Sequence, residues 1–80
     1  MYYSIIIPIF NEVVHIPKLL NQIEIYVENG HEIIIIDDGS DDGSYELLSN
    51  CTFIKLFQLK YNQGKGVAVK TGIEEANNDK

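Results

Sequence analysis

Glu32-Ile33-Ile34-Ile35-Ile36-Asp37-Asp38-Gly39-Ser40-Asp41-Asp42-Gly43-Ser44 is the stretch on which the fold turns. Four consecutive isoleucines leave no polar position for water, and β-branched side chains suit a pleated strand. An unbroken apolar run of this kind reads as a strand covered on both faces, as in a parallel sheet flanked by helices. The run stops at an acidic pair. Gly39-Ser40 then has the chemistry of a turn.

Working outward, the same pattern recurs on both sides. Upstream, Tyr3-Ser4-Ile5-Ile6-Ile7-Pro8 is a second unbroken run, read as another doubly covered strand. Downstream, Thr52 to Leu59 is mixed, with Phe53, Lys55 and Phe57 on one side and Ile54, Leu56 and Gln58 on the other. It reads as a strand nearer an edge. Between the first two runs, His15 to Asn29 carries Ile16, Leu19, Leu20, Ile23 and Val27 at helical spacing. Pro17 fits its first turn, and Gly30 suits the left-handed position after its end. A short helix is expected over Asp42 to Asn50, with Leu47 and Leu48 inward. A last helix is expected from about Gly64, with Val69, Ile73 and Ala76 on one face and a frayed polar end at Asn77 to Lys80. The order is α/β: a three-layer β-α-β-α-β-α, Rossmann-like parallel sheet with right-handed crossovers.

Composition narrows the function. The chain has 80 residues, enough for one domain, with 45% hydrophobic and 22% charged residues. Disorder needs a more polar chain. No apolar run approaches the ~20 residues that span a bilayer, and the start lacks the basic residues of a signal peptide. One cysteine, Cys51, excludes an internal disulfide and a multi-cysteine metal site; it reads as a small core residue. Net charge is −6 without a single arginine, which speaks against a nucleic-acid partner. A nucleotide remains compatible, since a divalent cation can join acidic side chains to phosphates. A domain of this size buries only a little over ~60% of its unfolded surface.

Parallel sheets bind ligands beyond the carboxyl ends of their strands. Three segments meet that rim: Pro8 to Glu12, Asp37 to Ser44, and Tyr61 to Gly66. Asp37 and Asp38 at a strand end either bond a ribose or base edge, or belong to the turn. Asp41 and Asp42 read as turn residues, with Ser40 or Asp41 as helix cap. A calcium loop starting at Asp38 fails at its twelfth position, Ser49, where a Glu is required. Gly64-Lys65-Gly66 either lets a ligand approach the backbone or is a plain loop-to-helix turn. It is no Walker A loop, because Leu59 stands where a glycine is needed. Phe10 either covers a base or packs under its loop. Glu12 either meets a ligand or caps the following helix. His15 reads as a surface residue and His31, at the other end of the sheet, as structural. No Ser-His-Asp or Cys-His arrangement can be built.

Together, Ile5-Ile6-Ile7-Pro8-Ile9-Phe10-Asn11-Glu12, Ile35 to Ser44, and Asn62-Gln63-Gly64-Lys65-Gly66-Val67-Ala68 resemble the start of a family 2 glycosyltransferase. Its fold is the nucleotide-sugar-binding α/β (GT-A) fold. The Asn-x-Gly-Lys-Gly form is similar to the branch acting on dolichyl and polyprenyl phosphates. The resemblance implies that Pro8, Phe10, Glu12 and Asp38 line the nucleoside pocket, with the strand-end acid on base or ribose. It also implies that Lys65 and Gly66 border that pocket and that Asp37 shapes the turn. The donor would be a UDP- or GDP-sugar and the acceptor a lipid phosphate or a glycan. A divalent cation, Mg or Mn, would neutralise the leaving diphosphate.

The family's metal-binding Asp-x-Asp motif does not follow Lys80 within this sequence, and Asp79 is a lone acid. No catalytic residue and no complete metal site is therefore expected in this chain, which reads as the N-terminal, nucleotide-binding part of a longer, cytoplasmic enzyme working at the membrane surface. Alone it is expected to be inactive and to self-associate through an uncovered sheet surface. Two other classes compete. One is a non-catalytic nucleotide-binding module. The other, a response-regulator-like domain, would put its acid pair after the first strand and an Asp after the third, where Leu59-Lys60-Tyr61 stands.

Overall fold

The computed structural model describes residues 2–76, so the expectations for Asn77 to Lys80 and for Asp79 lie outside the described residues. Strand β1 spans Ser4–Ile9, β2 Glu32–Asp37 and β3 Lys55–Gln58; helix α1 spans Ile16–Glu28, α2 Ser44–Leu48 and α3 Lys65–Glu75. A single 3-10 turn, Val13–His15, leads into α1. The sheet is parallel throughout, in the order β1-β2-β3. Ile5 pairs with Ile33 and Ile7 with Ile35; Ile35 in turn pairs with Leu56.

Period two along β2 divides the core into two layers. Ile33 and Ile35 face α1 and α2, where they join Ile9, Ile16, Ile23 and Leu48. Ile34 and Ile36 face α3, where they join Ala68. All four isoleucines are buried, as the unbroken run requires of a central strand. The expected three layers are present.

Local signals end the elements where the sequence marks them. Gly30 has φ +88 and follows the end of α1. Its N–H donates to the Val27 carbonyl and the His31 N–H to Tyr26, which closes a Schellman motif. His31 then seals the lower end of the sheet. Its Nδ1 accepts from the Tyr3 N–H at 3.0 Å, and its ring lies among Tyr2, Tyr3 and Tyr26. Beside it, Glu32 on β2 accepts from Ser4 on β1 and pairs with Lys55 on β3 at 2.7 Å.

Four expectations are corrected. The third strand is shorter, Lys55–Gln58, and Phe53 lies outside it, 41% exposed. The second helix has five residues rather than the stretch from Asp42 to Asn50. Of its leucines only Leu48 is buried, because one turn presents one inward position; Leu47 is exposed. Helix α3 buries Ala68 and Gly72, while Ile73 is exposed. The reason is close approach. A Cβ on Gly72 would collide with the Ile6 side chain, so α3 turns its small residues to the sheet. Cys51 is half-buried and free.

Candidate functional site

The carboxyl ends of all three strands lie on one rim, and the loops that follow them are bonded to one another. The hub is the stretch Asp37 to Ser44. Asp38 N–H donates to the Ile9 carbonyl and Leu59 N–H to the Asp37 carbonyl, which extends the ladder to the rim.

On one side the hub holds the loop after β1. Asn11 takes a left-handed conformation, φ +51. Its N–H donates to Ser40 Oγ at 2.8 Å, and its side-chain carbonyl accepts from the Asp41 N–H at 2.9 Å. The Glu12 N–H donates to Ser44 Oγ and the Val13 N–H to Asp42 Oδ2. Ser44 is fully buried, and its hydroxyl donates to Asp42 Oδ1. Desolvation pushes the Asp42 carboxyl up, but the hydrogen bonds from Ser44 and Val13 outweigh it and hold it below its ordinary value. The expected cap at Ser40 or Asp41 is not formed. Asp42 takes the Ser44 N–H instead. Glu12 makes no capping bond either, and its carboxylate stands 3.9 Å from the His15 ring.

On the other side the hub holds the loop after β3. Asp38 Oδ1 accepts from the Gln63 N–H at 2.8 Å, and Oδ2 accepts from the Gly64 N–H at 2.9 Å and from Asn62 Nδ2 at 3.1 Å. Gly39 has φ +79, and a Cβ there would stand 2.6 Å from the Asn62 nitrogen. Only glycine fits this backbone-to-backbone contact.

Between the outer loops lies a cleft of about 240 Å³, lined by Pro8, Phe10, Glu12, Asp38 and Lys65 together with Ile9, Asn62 and Gly64. Five sequence-derived candidates are thus brought together. Asp37 and Gly66 are not among the lining residues. Asp37 is fully buried beneath the rim, accepting from the Ser40 N–H at 3.1 Å and from Gln58 Nε2 at 3.4 Å. Gly66 sits in the first turn of α3, with open space where a Cβ would stand. Asn62 also lines the cleft, and the sequence marks it only by its place in the third motif. A larger cleft of about 330 Å³ runs along the outer side of β1 between Pro8, His15, Lys18 and Gln22.

The described family that fits this arrangement, Glycosyl transferase family 2, matches residues 4–79. The chain belongs to that family. A dolichyl-phosphate beta-glucosyltransferase of Dictyostelium discoideum is 37% identical over 91% of this chain and 27% of its own length. Among solved structures, residues 1–349 of S. aureus TarS superpose with a TM-score of 0.80 at 26% identity, over 96% of this chain and 25% of that 1–349 chain. The mannosyltransferase PcManGT from Pyrobaculum calidifontis, solved with GDP-Man and Mn²⁺, superposes with a TM-score of 0.73 at 22% identity, over 94% of this chain and 24% of its own. The fold of this family 2 domain is GT-A. The chain spans about a quarter of the length of the relatives it matches.

Among the described residues, no three His, Cys, Asp or Glu are grouped to hold a metal ion. No helix among them is long and apolar enough to cross a membrane.

Proposed function

We propose that this chain is the donor-binding part of a glycosyltransferase that moves a sugar from a UDP- or GDP-sugar to a polyprenyl phosphate. The observation that carries the reading is the cleft at the carboxyl ends of parallel strands. Its walls come from three separate motifs held in register by side-chain-to-backbone hydrogen bonds. The acceptor class is suggested by the dolichyl-phosphate enzyme, which acts on such a lipid by name. The work would take place at a membrane surface, on its cytoplasmic side, because the hydrocarbon tail of a polyprenyl phosphate holds it in a bilayer.

Each wall has a task. Pro8 and Phe10 offer an apolar surface, Phe10 being 43% exposed and able to lie against a base. Glu12 offers acceptor oxygens to a ribose. Lys65, at the start of α3, offers a cation to a diphosphate. A divalent cation, Mg or Mn, would supply Lewis-acid help to the leaving diphosphate. The described residues do not fit such an ion by themselves, because Asp37 and Asp38 are both committed to protein hydrogen bonds. The part of this chain is to bind and orient the donor.

Amide NMR titration of the chain with UDP and GDP tests the reading. Perturbations are expected at Phe10, Glu12, Gln63, Gly64 and Lys65. Perturbations gathered at His31 and Cys51 instead would refute it.

A further inference from the structure

His31 and the segment ahead of β1 make a contact at the end of the sheet opposite to the cleft. The Tyr3 N–H donates to His31 Nδ1 at 3.0 Å, and the Tyr3 carbonyl accepts from the Glu32 N–H at 2.9 Å. The residue before the first strand is thus tied to the second strand by one ring nitrogen and one amide. Two further contacts fall on the same place. The Tyr3 and His31 ring centroids are 5.3 Å apart. The Tyr2 ring lies so close over Gly30 that a Cβ there would stand 2.7 Å from it. Tyr2 and Tyr3 form a strap across Gly30 and His31, and both are mainly exposed.

A ring nitrogen accepts only when it carries no proton, so the bond assigns the neutral ring, with its proton on Nε2. The imidazolium donates from both nitrogens. Protonation would set a donor at Nδ1 against the Tyr3 N–H, and the bond cannot survive that. No carboxylate is placed to hold the charged form. Glu32, next along β2, is bonded to Ser4 of β1 and to Lys55 of β3. Glu28 closes α1, which presents the Tyr26 phenol to the ring. His31 itself is in no ion pair among the described residues.

We infer that His31 is a proton-operated latch on the strap at the amino ends of the strands. Its neutral ring holds Tyr2 and Tyr3 down, and its protonation releases them. Histidine is the side chain that changes charge between about pH 5 and 8, so the latch works near neutrality. The bond is present above that range and is lost as pH falls through it. The latch acts on the aromatic surface that Tyr2, Tyr3 and Tyr26 present and leaves the walls of the donor cleft in place.

NMR on the chain tests this without any ligand. Long-range proton–nitrogen correlation at about pH 8 should show the Nε2-protonated tautomer of His31. On titration to about pH 5 the Tyr3 amide should move together with the His31 ring. Its hydrogen-exchange protection, corrected for the intrinsic rate, should fall on the order of fivefold, the net contribution of one hydrogen bond. His31→Asn keeps an acceptor near the Nδ1 position and does not titrate, so its Tyr3 amide should stay protected throughout. His15→Gln removes the other histidine, and the Tyr3 response should persist in it while the Gln63 and Gly64 amides at the cleft do not follow. The Nδ1-protonated tautomer at high pH, or a Tyr3 amide indifferent to the His31 titration, would overturn the latch. These two measurements on the parent chain decide the matter even where His31→Asn does not fold. A Tyr3 response retained in a folded His31→Asn, or lost in His15→Gln, would overturn it as well.

Discussion

Asp42 Oδ2 accepts a hydrogen bond from the Val13 N–H at 3.1 Å, across 29 residues of sequence. The same carboxylate takes the Ser44 N–H and hydroxyl on its other oxygen. One exposed acid thus joins the loop after β1 to the loop after β2.

That bond sets a pH dependence. The folded-state pKa of Asp42 lies below the unfolded value of 3.8. Its contribution is therefore full above the unfolded value and is lost as pH falls through the folded one. Acid titration of stability should show this loss below about pH 4, and Asp42→Asn should flatten that part of the curve. An unchanged acid limb would contradict it.

Ser44 is the buried partner in the same link. Ser44→Ala leaves the Glu12 N–H without its acceptor and costs Asp42 a donor. A loss of about 1–3 kcal/mol is expected in chemical denaturation, the range for an unsatisfied buried polar group.

Two glycines of α3 should respond with opposite signs. Gly72→Ala drives a methyl into Ile6 and is expected to destabilise by about 1–3 kcal/mol. Gly66→Ala has open space and gains helix propensity, so a stabilisation approaching about 1 kcal/mol is expected. Paired urea melts decide both.

Turnover is not expected from these 80 residues alone. Asp37 and Asp38 are engaged in protein hydrogen bonds, and no metal-holding group exists among the described residues. Incubation with UDP- and GDP-sugars, Mn²⁺ and a polyprenyl phosphate should give no product. Product that depends on Asp38 would contradict this.

Self-association is expected as well. Strands β1 and β3 each pair on one side only, and open edges are templates for further pairing. Ile73 and Val67 add exposed apolar surface on α3. Sedimentation at several concentrations should show a mass that rises with concentration. A monomer that stays folded when dilute would show that three strands close their own core.

Much of this protein was legible in its sequence. Ile33 to Ile36 announce a doubly covered strand because burial on both faces excludes polar residues. Gly30 announces the end of α1 because left-handed backbone suits glycine. The three rim motifs were legible for a similar reason: ligands meet parallel sheets at their carboxyl ends, so polar and glycine-rich residues after each strand mark one place. The family resemblance carried by those motifs agrees with the match over residues 4–79.

Tertiary structure decided the rest, because the deciding contacts join residues far apart in the chain. Nothing local says that α3 turns Gly72 to the sheet; the Ile6 side chain across the layer does. Sequence order shows two acids at a strand end, but only the fold separates them. Asp37 is turned under the rim toward Gln58, and Asp38 is turned to amides 25 and 26 residues away. Sequence alone determined that these acids end the central strand. Which groups they bond was settled when three loops came together, since a carboxylate is satisfied by whatever donors the fold brings within reach.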